Sequence, residues 1–302
     1  TKKFSWNTTL TLSHNKNSVK ALTGEAVQLY EARFGFNQNT HRIAVGEPLG
    51  QFYGYITEGL YQVDDFNYDA STQTYTLKDG IPYHGDKGRI RPGMWKFKNL
   101  AGDDNVIDEN DKTVIGNAQP KFYGGLNNSF TYKGFDLSIF LTFSYGNEVL
   151  NATKLVTSKV GSLNYNALDV MNSSNRWMTI NSDGQKVTDP GELAALNAGK
   201  TVAAYHDAQQ GDNYIHSWAV EDASYLKLSN VTLGYTFPKN LIARVGLKNL
   251  RLYATGNNLL TWTKYSGFDP EVSTMKSGLT PGVDFGAYPL SRSFIFGLNV
   301  AF

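Results

Sequence analysis

One acidic segment carries side chains whose types and spacing could bind a metal ion. Hard cations such as calcium take six to eight oxygen ligands, which a tight loop supplies from alternate residues. Gly102 and Gly116 bracket the segment, which lacks the distal glutamate of an EF-hand loop. The pattern fits two interpretations, a calcium site or a solvated loop whose side chains hold Asx turns. The candidate ligands are Asp103, Asp104, Asn105, Asp108 and Asp111.

Catalytic chemistry has little support in the sequence. The five histidines lack the HxH or HExxH spacing of a metal site, and no GxSxG segment marks a serine nucleophile. His206 and His216 flank a polar stretch, where lone histidines are expected to be solvated. The absence of cysteine excludes thiol catalysis, iron–sulfur clusters and zinc sites built on cysteine. We therefore expect no enzyme activity.

Aromatic side chains in three long connecting segments are better candidates for ligand contact. Flat rings stack on the apolar faces of sugars while polar neighbours bind the hydroxyl groups. The alternative is that these rings pack the segments onto each other or onto a partner protein that covers them. The candidates are Tyr61, Tyr83, Trp95, Tyr205, Tyr214 and Trp218. A third group near strand ends, Trp6, Trp262 and Tyr265, fits an interfacial aromatic belt.

The composition indicates contact with an apolar environment through strands. Charged residues make up only 18% of the 302 residues and aromatic residues 13%. The 28 basic and 27 acidic residues nearly cancel, so no basic field predicts a nucleic-acid partner. The sequence also has no apolar run near the roughly 20 residues of a membrane helix.

Alternation of apolar and small polar residues is the dominant pattern, and it predicts strands. The predicted strands are about ten residues long, as in strands that cross a bilayer, whereas globular strands average about five or six. They are Phe4–Ser13, Gly50–Gln62, Lys121–Tyr132, Phe135–Gly146, Tyr225–Phe237, Leu250–Trp262 and Ser291–Phe302. We therefore expect an all-β fold, a transmembrane antiparallel β-barrel. A soluble β-sandwich is the alternative.

The connections between these strands are unequal in length. The Lys133-Gly134 pair predicts a tight hairpin, and 238–249 is also a short turn, on the periplasmic side. Segments near 62–120, 147–224 and 264–290 are long and predicted to be extracellular. The 14–49 segment is too long for a periplasmic turn, so we expect an extra strand pair there, including 26–33. An odd strand count and a start within a strand indicate a chain that continues upstream.

The last residue, Phe302, ends an alternating strand. An aromatic terminal residue in this position is similar to the signal that the barrel-assembly machinery recognises. A lipid-facing side chain is the simpler interpretation, and both can hold.

Seven stretches, which span nearly the whole chain in order, carry a resemblance to a known family. They are 45–55 (VGEPLGQFYGY), 105–116 (NVIDENDKTVIG), 120–130 (PKFYGGLNNSF), 221–235 (EDASYLKLSNVTLGY), 250–259 (LRLYATGNNL), 267–271 (GFDPE) and 288–292 (YPLSR). Together they make the chain similar to the C-terminal barrel region of the SusC/RagA family. These are TonB-dependent outer-membrane transporters typical of Bacteroidetes. The acidic segment departs from the family's calcium-like run at Asn99 and Ala101, with one residue inserted near Asp104.

This resemblance implies a fold, partners and a function. It implies that residues 1–302 are the C-terminal portion of a plugged barrel of about 22 strands in the outer membrane. It implies import of oligosaccharides or peptides with a SusD-like surface lipoprotein, energised by the TonB complex. The plug and the TonB-contacting region are expected upstream, outside this sequence. The alternative function is that of a secreted or surface β-sandwich that binds glycans without transporting them.

Overall fold

The computed structural model describes residues 4–31, 38–102, 104–158, 166–204, 214–274 and 277–302. In these residues strands dominate and helices are few and short. The strands are β1 (Phe4–Ser13), β2 (Val27–Glu31), β3 (Asn39–Ala44), β4 (Gln51–Gly54), β5 (Thr57–Leu60), β6 (Phe66–Asp69), β7 (Thr74–Leu77), β8 (Tyr83–His84), β9 (Trp95–Phe97), β10 (Val106–Ile107), β11 (Thr113–Asn117), β12 (Phe122–Tyr132), β13 (Phe135–Tyr145), β14 (Glu148–Asn151), β15 (Val220–Asp222), β16 (Tyr225–Thr236), β17 (Asn249–Thr263), β18 (Val283–Asp284) and β19 (Ser293–Ala301).

The helices are all short. The α-helices are α1 (Ala152–Thr157), α2 (Pro190–Leu196) and α3 (Lys239–Ile242). The 3-10 helices are Val63–Asp65, Lys87–Arg89, Glu109–Asp111, Asp169–Met171, Ser217–Ala219 and Ala243–Val245. Within the described ranges, no helix is long and apolar enough to cross a membrane.

Six long strands form one antiparallel sheet in the order β1-β12-β13-β16-β17-β19. They are 9 to 15 residues long. Six of the seven predicted long strands are therefore present, each within two residues of its predicted bounds. The sheet is open in the described part of the chain, with β1 and β19 at its edges, so a closed barrel is not formed by these residues alone.

The register of this sheet aligns the apolar residues of neighbouring strands into rows on one face. Because side chains alternate along a strand, a one-residue slip would move every apolar residue to the other face, which fixes the register. The apolar face is uncovered: Trp6 is 62% exposed and Phe296 81%. One row across all six strands is Trp6, Phe130, Leu137, Leu233, Ala254 and Phe296.

The opposite face is built from small polar side chains that bind each other across strands. The Thr232 and Thr255 hydroxyls lie 2.8 Å apart, and the Asn230 amide donates to Asn257 at 2.7 Å. The sheet therefore separates an apolar face from a hydrogen-bonded polar one, as the alternation predicts.

The connections at the two ends of the sheet differ. At one end, Lys133 and Gly134 join β12 to β13 with φ of 47° and 90°, the two positive values that a type I′ turn requires. At the other end, Ser13, Tyr123, Ser144, Tyr225 and Thr263 lie in register. All three long segments, 14–121, 146–224 and 264–292, leave the sheet at that end. We call their described residues the head.

The predicted long strand at Gly50–Gln62 is wrong. This stretch forms two short strands, β4 and β5, which pair with other strands of the head. The long sheet has no place for it, because β1 pairs with β12 along ten positions. Residues on both sides of the stretch are buried, so its apolar residues do not mark one lipid-facing side of a long strand. The direct pairing of β1 with β12 also shows that the whole 14–121 segment lies at one end, which removes the problem of an overlong periplasmic turn at 14–49.

The head contains most of the buried apolar residues and has its own cores. The extra strand pair expected in 14–49 is present as β2 and β3, which lie side by side in the four-stranded sheet β11-β4-β3-β2 of the head. A three-stranded sheet, β15-β14-β18, links the second and third long segments. One core cluster joins all three segments through Phe52, Leu150 and Val283. The long connections are thus a folded body that sits at one end of the sheet.

Candidate functional site

Asp111 organises the acidic segment from a fully buried position. Its Oδ1 accepts the backbone N–H groups of Leu100 at 2.6 Å and Ala101 at 2.9 Å. Its Oδ2 accepts the N–H of Asp108 at 2.8 Å. Three charge-assisted hydrogen bonds on one carboxylate stabilise the loop.

The other acidic side chains of this segment hold turns. Asp108 Oδ1 accepts the N–H of Asn110 at 2.8 Å, and Asp104 Oδ1 accepts the N–H of Val106 at 3.1 Å. The described residues include no group of three or more His, Cys, Asp or Glu side chains placed for a metal ion. Asp103 lies outside the described residues, so calcium binding at 103–111 stays a prediction. The Asx turns of the alternative interpretation are present.

Two of the aromatic candidates lie inside the cores of the head. Tyr61 is fully buried, and its hydroxyl donates to the carbonyl of Pro82 at 2.7 Å. Burial raises the pKa of Tyr61 above its usual value, and Asp65 adds to the rise. Trp95 is buried against His216 and Trp218, with ring centroids at 5.0 and 4.9 Å. In this geometry both side chains pack the head.

Three further candidates, Tyr83, Tyr214 and Trp218, are partly accessible. Tyr214 and Trp218 border the largest core cluster of the head, and Tyr83 packs at the edge of another. Tyr214 packs edge-on against Tyr55, with ring centroids 5.2 Å apart. Tyr205 lies outside the described residues. Contact of these residues with a substrate or a lid stays a prediction.

Two of the three residues predicted to form an interfacial aromatic belt are exposed, and the third is buried. Trp6 and Trp262 are 62% and 51% exposed on the apolar face. Tyr265 is instead buried, and its hydroxyl donates to Asp284 Oδ2 at 2.6 Å. Burial and this bond both raise the pKa of Tyr265. The belt prediction is wrong for Tyr265, because the chain turns into the head directly after β17.

Three histidines are buried in the head, which the sequence does not indicate. His216 is 1% exposed, and its Nδ1 lies 2.7 Å from the Thr57 hydroxyl, so its expected solvation is wrong. His84 is 1% exposed as well. His41 Nε2 donates to the carbonyl of Pro281 at 2.9 Å and links the first long segment to the third. Burial lowers the pKa of His41 to about 4, against the opposing effect of this carbonyl. His206 lies outside the described residues.

A partly buried ionic network joins the second long segment to the third. Lys154 of α1 binds Glu221 of β15 at 3.0 Å and lies 4.0 Å from the ring centroid of Trp218. Glu221 also accepts the N–H and the hydroxyl of Ser266, each at 2.9 Å. Burial alone would raise the pKa of Glu221, but these bonds and Lys154 outweigh it and lower the pKa. The partners are far apart in sequence, so only the structure reveals the network.

The head is also fixed to the polar face of the long sheet. Glu271 of the third segment accepts the Tyr225 hydroxyl at 2.6 Å and binds the Lys227 ammonium. Lys227 is 5% exposed. Glu271 belongs to the GFDPE stretch, so this stretch contacts β16 through its last residue.

Comparison with known proteins gives close matches along the whole chain. It is 33% identical over 99% of its length to TonB-dependent receptor P3 of Formosa agariphila, and covers 27% of that protein. It is 31% identical to TonB-dependent receptor P39 of the same organism, again over 99% of the chain and 29% of the relative. The chain is thus similar over its whole length to part of TonB-dependent receptors. To SusC of Bacteroides thetaiotaomicron it is 27% identical over its full length, covering 25% of SusC. No protein-family model matches it.

Solved structures show the same fold. The structure of the RagAB peptide transporter matches the whole chain with a TM-score of 0.65 at 20% identity, over 27% of that chain. The RagAB peptide importer in its closed-closed state matches with 0.65 at 19% identity, over 28% of that chain. The resemblance to the SusC/RagA family is therefore confirmed. The chain spans little more than a quarter of the length of the receptors it matches.

Residue Phe302 continues the alternating pattern of β19. Phe302 follows β19 directly and is 81% exposed, like Phe296 on the apolar face. This exposure fits both a lipid-facing residue and an accessible assembly signal. Recognition by the assembly machinery stays a prediction.

Proposed function

We propose that the chain forms part of the wall and the outer head of an outer-membrane importer energised through TonB. The uncovered apolar face of the six-stranded sheet carries this proposal. An 11-residue strand such as β13 is about 35 Å long, and tilted by about 45° it rises about 25 Å. That height is about the thickness of the apolar band of outer-membrane barrels.

The orientation of the importer follows from this assignment. The apolar face contacts lipid, and the polar face lines the interior of a barrel of about 22 strands completed by the rest of the receptor. Long connections are extracellular and short turns periplasmic in barrels of this type. The head, with the segments near 62–120, 147–224 and 264–290, then faces the outside of the cell.

The partners and cargo belong to the same proposal. A SusD-like lipoprotein covers the head, oligosaccharides or peptides pass through, and TonB acts through regions outside this sequence. The similar structures are those of the two-component RagAB peptide transporter, which supports a partner protein and a peptide-like cargo for this chain. The similar proteins are receptors and transporters, so the chain's role is transport without chemistry on the cargo. A β-sandwich would need a second sheet on the apolar face, which the described residues do not supply.

The test uses the full-length receptor in its own host. The receptor should need detergent for extraction and migrate faster on gels before heating than after it. Uptake of labelled oligosaccharides or peptides should be lost when either the receptor gene or TonB is inactivated. Uptake that survives TonB inactivation, or extraction by salt alone, would contradict the proposal.

A further inference from the structure

A pocket of about 180 Å³ lies in the head between the second and third long segments. It is formed by the start of α1, by Leu168, by residues 266–268 and by residues 284, 286 and 287. A cavity of about 150 Å³ holds a benzene molecule, so this pocket accommodates a six-membered ring with substituents. None of the candidates from the sequence lines it.

Phe268 gives the pocket an accessible aromatic wall. Its side chain belongs to the lining and is 78% exposed. The other aromatic side chains in the described part of the head are buried or partly buried, except Tyr288. Of the two exposed rings, Phe268 is the one that lines this cavity. Leu168, Gly267 and Ala287 add apolar surface. An exposed ring next to small apolar residues is a platform for the C–H face of a sugar or for another flat group.

Two buried polar side chains of the lining have hydrogen-bonding capacity left. Asp284 is 4% exposed; its Oδ2 accepts the Tyr265 hydroxyl, but the contact of its Oδ1, to the N–H of Ala287, is long at 3.4 Å. Asn151 is also 4% exposed, and its Oδ1 accepts the N–H of Lys154 at 2.9 Å. That bond identifies the other atom as the amide nitrogen, whose contacts with Glu221 and Ser266 are both long, at 3.4 Å. One acceptor and one donor are therefore underused.

We infer that this pocket binds one neutral sugar residue of the cargo, an inference that rests on the proposed import function. A hydroxyl group donates and accepts, so a sugar can satisfy both the carboxylate of Asp284 and the amide of Asn151. An ammonium group only donates, which would leave the Asn151 amide unsatisfied. An acidic group would be repelled by Asp284, because the nearby cation, Lys154, is paired with Glu221. The pocket therefore discriminates against both charged classes.

The test measures ligand contact by saturation-transfer NMR on the full-length receptor in complex with its lipoprotein. The neutral probes are the methyl pyranosides of glucose, galactose and mannose. The charged probes are methyl glucuronoside and N-acetyl-lysine amide. Phe268→Ala removes the ring, Phe268→Tyr keeps it, and Tyr288→Ala removes an equally exposed aromatic that does not line the pocket, being 89% exposed. Phe268 is mostly in solvent, so its loss leaves the fold intact.

At least one neutral pyranoside should contact the wild-type receptor, and Phe268→Ala should reduce its signal at least fivefold. Phe268→Tyr and Tyr288→Ala should keep the signal within twofold. The inference is overturned if no neutral pyranoside binds, if Phe268→Ala leaves the signal unchanged, or if a charged probe gives the stronger signal that Phe268→Ala removes. TonB-dependent uptake measured in the same strains separates the two proposals. Uptake without pyranoside contact overturns only this inference.

Discussion

The assignment of the two faces of the long sheet can be tested with two neighbouring residues of β13. Ile139 lies on the apolar face, in one row with Asn128 and Val231. Ser138 lies on the polar face, where its hydroxyl donates to Asn127. Both are near the middle of the strand. Lysine placed at each position in turn therefore compares the two faces at the same depth.

The expected difference is large. Ile139 is four residues from one end of β13 and six from the other, so in a strand tilted by about 45° it lies about 10 Å from the nearer edge of the apolar band. Lysine at such a depth on the lipid side costs about 2–4 kcal/mol in outer-membrane barrels. This is roughly a 30- to 1,000-fold change in the folding equilibrium. Ser138→Lys places its ammonium on the hydrated side and should cost less than about 1 kcal/mol.

The assay is refolding of the full-length receptor into lipid vesicles, with the folded fraction read from heat-modifiable migration across a denaturant series. Ile139→Lys should shift the midpoint to clearly lower denaturant, and Ser138→Lys should leave it near the wild-type value. An equal or larger shift for Ser138→Lys would refute the assignment of the faces.

Three further predictions concern the head and the last residue. Burial lowers the pKa of His41 to about 4, so the head is most stable above pH 6.5, where His41 is neutral, and loses this stability as the pH falls towards 4. In His41→Phe the melting temperature should depend less on pH between 4 and 6.5. Asp111→Asn leaves a buried N–H without an acceptor, so it should cost about 1–3 kcal/mol locally and speed amide exchange at residues 100, 101 and 108, whereas Asp104→Asn should not. Deletion of Phe302 should lower the amount of assembled receptor with an unchanged transcript level, and normal assembly would contradict the signal.

The long strands could be predicted because their environment repeats every two residues. Where one face of a strand is apolar and the other polar over ten residues, as in β1, the alternation in the sequence predicts the strand and its bounds. Gly50–Gln62 shows where this fails. Phe52, Tyr55 and Tyr61 are buried on different sides in different clusters, so the spacing of apolar residues no longer reports a single face. Packing between distant segments decided the structure there.

The candidate sites were predictable to a smaller extent. The turns of the acidic segment follow from local side-chain chemistry, which spacing in the sequence shows. The sequence cannot separate an aromatic residue in a loop core, such as Tyr61, from one open to ligand, such as Phe268, because both lie in long polar segments. The pairs Lys154–Glu221 and Asn151–Ser266 are separated by 67 and 115 residues. No local pattern brings them together.

The way the head is connected has a consequence for how the receptor is made. Strand β18 lies parallel to β14, which precedes it by more than 130 residues, and Tyr55 bridges to His216 from still farther away. Contacts between such distant residues form slowly, because long loops must close first. The core cluster that joins Phe52, Leu150 and Val283 therefore cannot form as each segment emerges. All three segments must reach the same end of the sheet before this cluster exists, so substitutions within it should reduce the yield of folded receptor.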